Sequence, residues 1–176
     1  MGVEIERKFT VTKVPIDLQD MPVHEIEQAY LNVHPAIRVR KQDDEYYMTY
    51  KGAHSTRDGE IGQVEYNMPL DAGSYEHMAA KADGIVIRKK RFLIPLNDDA
   101  FSAEYLAINP SIREMIEKNE IKIELDVFSS PENIGMLAEV EFPDEDSARN
   151  YHMPEWFDKD VTGDVRYSNA QMSRGQ

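Results

Sequence analysis

The sequence predicts a mainly β fold of the α+β class: an antiparallel barrel with a few flanking helices. Three observations carry that expectation. Most of the chain divides into segments in which apolar and polar residues alternate with a period of two, the spacing of a half-buried strand. Short turn signals such as His34-Pro35 and Gln42-Asp43-Asp44 join these segments as antiparallel neighbours. On the polar phase, charges of one sign recur two residues apart: Glu4 and Glu6 ahead of Lys8, then Arg38/Arg40, Lys89/Arg91, Glu124/Asp126 and Glu139/Glu141. Like charges two apart on a strand lie about 7 Å from one another and repel. A solvated sheet face would mix signs with Ser, Thr and Gln. If the sheet closes on itself, the charged phase points inward and lines a polar channel, and about eight strands suffice to enclose a small ligand.

The elements follow in order. Val3 to Val11 is a strand with Val3, Ile5, Phe9 and Val11 on one face and Glu4, Glu6 and Lys8 on the other. Lys13 to Pro22 reads as loop or a short helical turn. His24 to Asn32 is a strand, and after His34-Pro35 so is Ala36 to Lys41, with Arg38 and Arg40 opposite Ile37 and Val39. A hairpin leads into Glu45 to Lys51, rich in aromatic and β-branched residues and ended by Gly52. Ala53 to Gly59 is a polar loop, and Glu60 to Leu70 is a strand with Gln63, Glu65 and Asn67 in phase. Asp71 is the N-cap of a helix running to Ala82 and stopped by Asp83-Gly84. Ile85 to Leu96 is a long strand. Asn97 to Glu120 carries turn residues and the helically spaced run Ile112 to Lys118. Ile121 to Phe128 and Met136 to Phe142 are strands, and Asp144 to Tyr151 is a short helix. Pro154 to Phe157 reads as a turn of helix, Asp160 to Asp164 as a last short strand, and the tail from Ser168 as helical or frayed. The chain thus reads as a single domain over 1–176 with a partly helical insert at about 98–119.

Composition narrows the function. The formal net charge of −13 argues against nonspecific nucleic-acid or anionic-membrane binding, which needs a basic surface. With no cysteine there is no disulfide framework, thiolate metal site or cysteine nucleophile. No apolar run reads as a transmembrane helix or secretory signal, so a cytoplasmic protein is expected. The five histidines do not cluster at zinc-ligand spacing, and there is no Walker A or glycine-rich nucleotide loop. Phosphate binding, if present, would have to use side chains.

A channel lined by acidic strands on one side and Arg and Lys on the other demands counterions. A polyanion chelated to a divalent cation satisfies both halves. Arg forks suit phosphate, and carboxylates suit hard cations such as Mg²⁺ or Mn²⁺. The residues also resemble a family. Glu4-Ile-Glu6-Arg-Lys8 is similar to the ExExK signature of the CYTH superfamily, the triphosphate tunnel metalloenzymes. Gln28-Ala-Tyr-Leu31, Arg38-Val-Arg40, Lys51-Gly52, Lys89-Lys-Arg91, Glu124-Leu-Asp126, Glu139-Val-Glu141 and Val161-Thr162 follow in the family's order. The resemblance implies an eight-stranded antiparallel tunnel acting on a triphosphate with Mg²⁺ or Mn²⁺, closest to the short bacterial inorganic triphosphatases. It implies that Glu4, Glu6, Asp126, Glu139 and Glu141 serve the metal. Lys8, Arg38, Arg40, Lys51, Lys89 and Arg91 would hold phosphates. Lys8, Glu6 and Glu141 would be catalytic. One departure is Gln63-Val-Glu65-Tyr-Asn67, where the family often has Arg-x-Glu-x-Glu; Glu65 is carried over only weakly.

Off the charged phase, Arg7, Lys41 and Lys90 are expected at the surface, and Arg88, adjacent to the basic pair but on the wrong phase, is expected to have no site role. Lys122 pairs with Glu124 or joins the site, and Arg166 is placed either at the tunnel mouth or in solvent. The expected reaction is metal-assisted hydrolysis of a triphosphate-containing small molecule, most simply inorganic tripolyphosphate. Alternatives are thiamine or nucleoside triphosphate hydrolysis, a class IV adenylate cyclase, and a non-catalytic polyphosphate-binding module. No nucleic acid or membrane partner is expected, and a homodimer is left open.

Overall fold

The computed structural model describes residues 5–54 and 63–175. Nine strands form one antiparallel sheet in the order β5-β4-β3-β2-β6-β7-β8-β1-β9. They are β1 (Ile5–Val11), β2 (Val23–Val33), β3 (Ala36–Gln42), β4 (Glu45–His54), β5 (Gln63–Leu70), β6 (Asp83–Pro95), β7 (Lys122–Ser130), β8 (Met136–Phe142) and β9 (Lys159–Asp160). The eight longer strands are those the alternation predicted. Val3, Glu4 and residues 60–62, assigned to strands from sequence, lie outside the described residues. β9 is two residues pairing with Phe9 and Thr10, and not the longer Asp160 to Asp164 strand expected. Among the described residues no ladder joins β5 to β1 or β9, so the sheet curls without closing its hydrogen bonds.

The helices start where short polar side chains satisfy orphan N–H groups. The Asp71 carboxylate accepts from Ser74 N at 2.7 Å and opens α1 (Ala72–Ala79). Ser102 caps α2 (Ala103–Ile108), and Pro110 at its first position suits α3 (Pro110–Glu117). Asp144 caps α4 (Glu145–Asn150), and Ser168 caps α5 (Asn169–Met172). The tail is therefore an anchored turn of helix. Lys13 to Pro22 holds bends and turns without a helix. Pro154 to Phe157 is a turn closed by Phe157 N on Pro154 O at 3.0 Å. The β3–β4 hairpin turns at Asp43, whose φ of 51° is the left-handed geometry that two-residue hairpins require.

With charge inside, apolar burial moves outside. Phe9, Val11, Ile123, Leu125, Val140 and Phe142 on β1, β7 and β8 form the largest cluster with Phe101, Tyr105, Ile112, Tyr151 and Phe157. The α2–α3 stretch thus covers one half of the sheet. Ala29 and Val39 pack beneath Tyr75 of α1 and cover the other half. A third cluster lies on the charged phase itself: Tyr30, Ile87, Phe128 and Leu137 meet Met172 of α5. Part of the interior is therefore filled by apolar side chains and the C-terminal helix.

Arg7 departs from its expected place at the surface. Its guanidinium donates to the carbonyls of Ala148 (3.2 Å) and Tyr151 (2.9 Å), pairs with Asp160 at 2.6 Å, and lies 5.1 Å from the Phe9 ring centroid. It lies on the phase that faces the helices, where a long cation with carbonyl partners can be covered. It ties β1 to α4 and β9.

The tail docks through a glycine. Gly84 has φ +76°, a Cβ there would lie 2.3 Å from Ser173 O, and Ile85 N donates to that carbonyl at 2.6 Å. Gly84→Ala is therefore expected to destabilise the fold by at least ~1 kcal/mol. Gly73→Ala, inside α1 with 3.4 Å to its nearest neighbour, should hold or raise stability. Thermal unfolding of the two variants checks this; equal melting temperatures would contradict the docking.

Candidate active site

Strand register assembles the site, because side chains directly opposite across neighbouring strands share a face. Lys8, Glu139 and Glu124 form one row across β1, β8 and β7, and Glu6 faces Glu141 beside it. On the other half, Gln28, Arg40 and Tyr47 form a row across β2, β3 and β4, followed by Tyr30, Arg38, Thr49 and Asn67. Lys51 faces Glu65, and Arg91 faces Asp126. The curl turns these rows toward one cavity of about 790 Å³. A second cavity of about 1320 Å³ shares Glu6, Lys8, Arg38, Lys51 and Asn169 with it, so the two run together as one passage.

The expected site residues are placed as follows. Glu6, Lys8, Arg38, Arg40, Lys51, Arg91, Glu139 and Glu141 all line the cavity. Glu4 lies outside the described residues. Lys89 and Asp126 sit beneath the lining, their side chains fully buried and paired at 2.5 Å. Glu65, carried over only weakly, lines the cavity, as does Glu124. Lys122 donates to the Asn119 carbonyl, leaving Glu124 to Arg91. Arg166 is turned to solvent against Asp164 at 2.6 Å, and Arg88 pairs with Glu27 on the outside. Residues that the alternation did not single out are Gln28, Tyr47 and Asn169. For Gln28 and Tyr47 the usable signal was the cross-strand register with Arg40. Asn169 reaches the lining only because α5 folds back.

The buried charges of β1, β6, β7 and β8 pair with one another, whereas Arg40 of β3 meets the neutral Gln28 and Tyr47. Arg91 donates to Asp126 at 2.7 Å through both Nε and Nη2, to Glu139 at 2.6 Å, and to Glu124. Lys8 Nζ lies 2.9 Å from Glu139 and 3.4 Å from Glu6. Lys51 reaches Glu65 at 3.1 Å, with Arg38 at 4.0 Å from the same carboxylate. Asn67 bridges Thr49 (2.6 Å) and Glu65 (3.1 Å), which accounts for an amide where a carboxylate is usual.

These contacts shift proton affinities. Burial alone would lower Lys8, but the charges of Glu139 and Glu6 outweigh it and hold the ammonium above the ordinary lysine value. Burial would raise Glu139, but Lys8 and Arg91 hold it well below the carboxylate range. Glu65 is lowered in the same way, Lys51 and Arg38 overcoming burial. Lys89 goes the other way: burial takes it down to about 8 even against Asp126. Arg40 is lowered by burial and then by repulsion from Arg38 and Arg91.

The result is a cavity with an acid-rich wall on β1, β7 and β8 and a base-rich wall on β3 and β4. Among the described residues, no group of three or more His, Asp or Glu side chains is arranged to hold a metal ion. No helix of the described residues is long and apolar enough to cross a membrane.

Comparison with known proteins agrees with this geometry. The CYTH domain family model matches residues 2–151, a span holding β1 through β8. A relative from Nitrosomonas europaea, an inorganic triphosphatase, is 31% identical over 174 residues, covering 97% of this chain and 96% of its own length. An inorganic triphosphatase from Acetivibrio thermocellus is 30% identical over 177 residues, covering 98% and 94%. The crystal structure of an inorganic triphosphatase superposes with a TM-score of 0.65 at 29% identity, over 99% of this chain and 96% of that one. Strand arrangement, inward charge and sequence match coincide, and the chain belongs to the CYTH domain family.

Proposed function

We propose that this chain hydrolyses inorganic triphosphate to diphosphate and phosphate with a divalent cation. The observation that carries the reading is the two-walled cavity. Arg38, Arg40 and Lys51 face Glu6, Glu124, Glu139 and Glu141 across an interior sized for a small polyanion. The two full-length relatives named inorganic triphosphatases support the same substrate.

The donor chemistry fits a hard cation. Glu6 and Glu141 stand directly opposite each other on β1 and β8 and line the cavity, and carboxylate oxygens are the donors that hard cations prefer. Mg²⁺ or Mn²⁺ would be held by Glu6 and Glu141, with Glu4 of the same signature. Glu139 is already engaged by Lys8 and Arg91, and Asp126 by Lys89 and Arg91. In this reading those two carboxylates orient cations and are not direct ligands. Bound there, the cation would supply charge neutralisation at the phosphate oxygens.

The chain's own residues do the rest. Arg38, Arg40, Lys51 and Arg91 bind and align the phosphates, and their fixed positive charge stabilises the leaving diphosphate. Lys8, at the junction of the walls, donates to the scissile phosphate. It stays protonated because Glu139 and Glu6 hold its proton. A carboxylate of the Glu6–Glu141 pair accepts the proton of the attacking water. Lys89, fully buried on Asp126, acts through the fixed position of Arg91. The barrier falls through positioning and electrostatics, with no covalent intermediate.

Incubation with tripolyphosphate, ATP and thiamine triphosphate in Mg²⁺ tests the reaction. Phosphate and diphosphate from tripolyphosphate are expected as the main products. Cyclic AMP and diphosphate from ATP as the dominant products would refute the hydrolase reading. Mutation tests the two walls. Glu141→Gln is expected to raise the Mg²⁺ concentration for half-activation about tenfold or more, the loss of about 1.4 kcal/mol of binding. Arg38→Ala should raise KM for tripolyphosphate by a similar factor with little change in Mg²⁺ activation. Equal effects of both substitutions on the metal requirement would show that the walls do not divide the work.

A further inference from the structure

The Gln28-Ala-Tyr-Leu31 motif has no part in the chemistry above, yet Gln28 is fully buried on the charged phase. It sits directly opposite Arg40, which is opposite Tyr47. The Gln28 Oε1 accepts from Arg40 Nε at 3.0 Å and from Arg40 Nη2 at 2.8 Å, and Tyr47 Oη accepts from Arg40 Nη1 at 3.0 Å. The Gln28 Nε2 donates to Tyr30 Oη at 2.8 Å. A guanidinium cannot accept a hydrogen bond, so the amide must turn its oxygen to Arg40. Both ends of the amide are then used.

The other cations on the cavity wall differ in one respect. Lys8, Arg91, Lys51 and Arg38 each have a carboxylate within 4.0 Å. Among the described residues, the hydrogen-bond partners of Arg40 are the neutral Gln28 and Tyr47. Three of the five guanidinium N–H groups are engaged, which leaves one on each terminal nitrogen, the pair that forks onto two oxygens of one phosphate. An amide oxygen orients the fork as a carboxylate would, but it does not neutralise the charge. Burial and the nearby Arg38 and Arg91 make that positive charge costly without an anion.

We infer that Gln28 is a positioning residue that aims Arg40 while leaving its charge undischarged, and that Arg40 is thereby the principal phosphate anchor of the cavity. This rests on the triphosphate reading above and assigns within it which cation carries most of the ground-state affinity. Gln28 itself, fully buried, does not touch substrate.

Gln28→Glu is the decisive substitution, being near-isosteric and retaining the acceptor while supplying a counter-charge. It is expected to weaken tripolyphosphate binding by at least tenfold, seen as a raised KM and a raised dissociation constant by calorimetry. The value of kcat should change much less, and the ligand-free melting temperature should hold. Gln28→Met removes the acceptor at similar volume. It should lower the ligand-free melting temperature and also raise KM, by release of the fork. If Gln28→Glu binds tripolyphosphate as tightly as the wild type, or loses kcat and melting temperature with KM unchanged, the inference is overturned and Gln28 is a packing residue. Binding by the wild type without hydrolysis would overturn the functional reading but leave this one testable by the same calorimetry. Wild-type protein that does not bind tripolyphosphate would overturn both.

Discussion

The buried ion-pair chain running through Arg91 is the constraint on which the rest of the molecule depends. Arg91 touches Glu124, Asp126 and Glu139; Glu139 touches Lys8; Lys8 touches Glu6. Taking charges out of water costs several kcal/mol per ion, and removing one partner of a buried pair typically costs about 3–5 kcal/mol. Such a chain survives only if every member has its counterpart at once. Strand register supplies that condition, since it sets Lys8 opposite Glu139 and Arg91 opposite Asp126 on adjacent ladders. A slip of one residue would turn each of these charges into the apolar outer layer. The electrostatics of the interior therefore pins the same register as the hydrophobic exterior.

Charge inside obliges the fold to bury its apolar surface elsewhere. Phe101, Tyr105 and Ile112, from the stretch that reads as an insert, cover the outer faces of β1, β7 and β8. The α1 residue Tyr75 does the same for β2 and β3. The helices are thus the outer half of a core whose inner half is polar. Arg7 belongs to this outer layer, where its three hydrogen-bond partners hold β1 against α4 and β9.

The two walls hold their charges in different ways. On the acid-rich side, Glu139 and Asp126 are spent on internal cations, while Glu6 and Glu141 face each other. On the base-rich side, Arg40 is oriented by neutral groups. Among the described residues Arg40 has no carboxylate partner, while on the opposite wall Glu6 lies 3.4 Å from Lys8 and faces Glu141. In the proposed reading, a triphosphate with a divalent cation complements both walls.

Much of this was legible in the chain itself. A period of two is a local property, set by the pleat, so the eight longer strands and the inward phase of Glu6, Lys8, Arg38, Arg40, Arg91, Glu139 and Glu141 followed from spacing alone. The helix start at Asp71 followed from capping chemistry, which is equally local. Depth was not legible. Lys89 shares its phase with Arg91, yet one side chain is sealed against Asp126 and the other reaches the cavity, because position along the strand relative to the apolar Tyr30–Ile87–Met172 group decides what covers each. Nor was the role of Arg7 or Gln28. Arg7 reads as a surface group from sequence because its partners, Ala148, Tyr151 and Asp160, lie more than a hundred residues away. The grip of Gln28 on Arg40 exists only once β2 and β3 pair in one register. Alternation within one strand determined which side chains face inward; pairing between strands, which depends on contacts distant in the chain, decided which of those charges neutralise each other and which remain for a ligand.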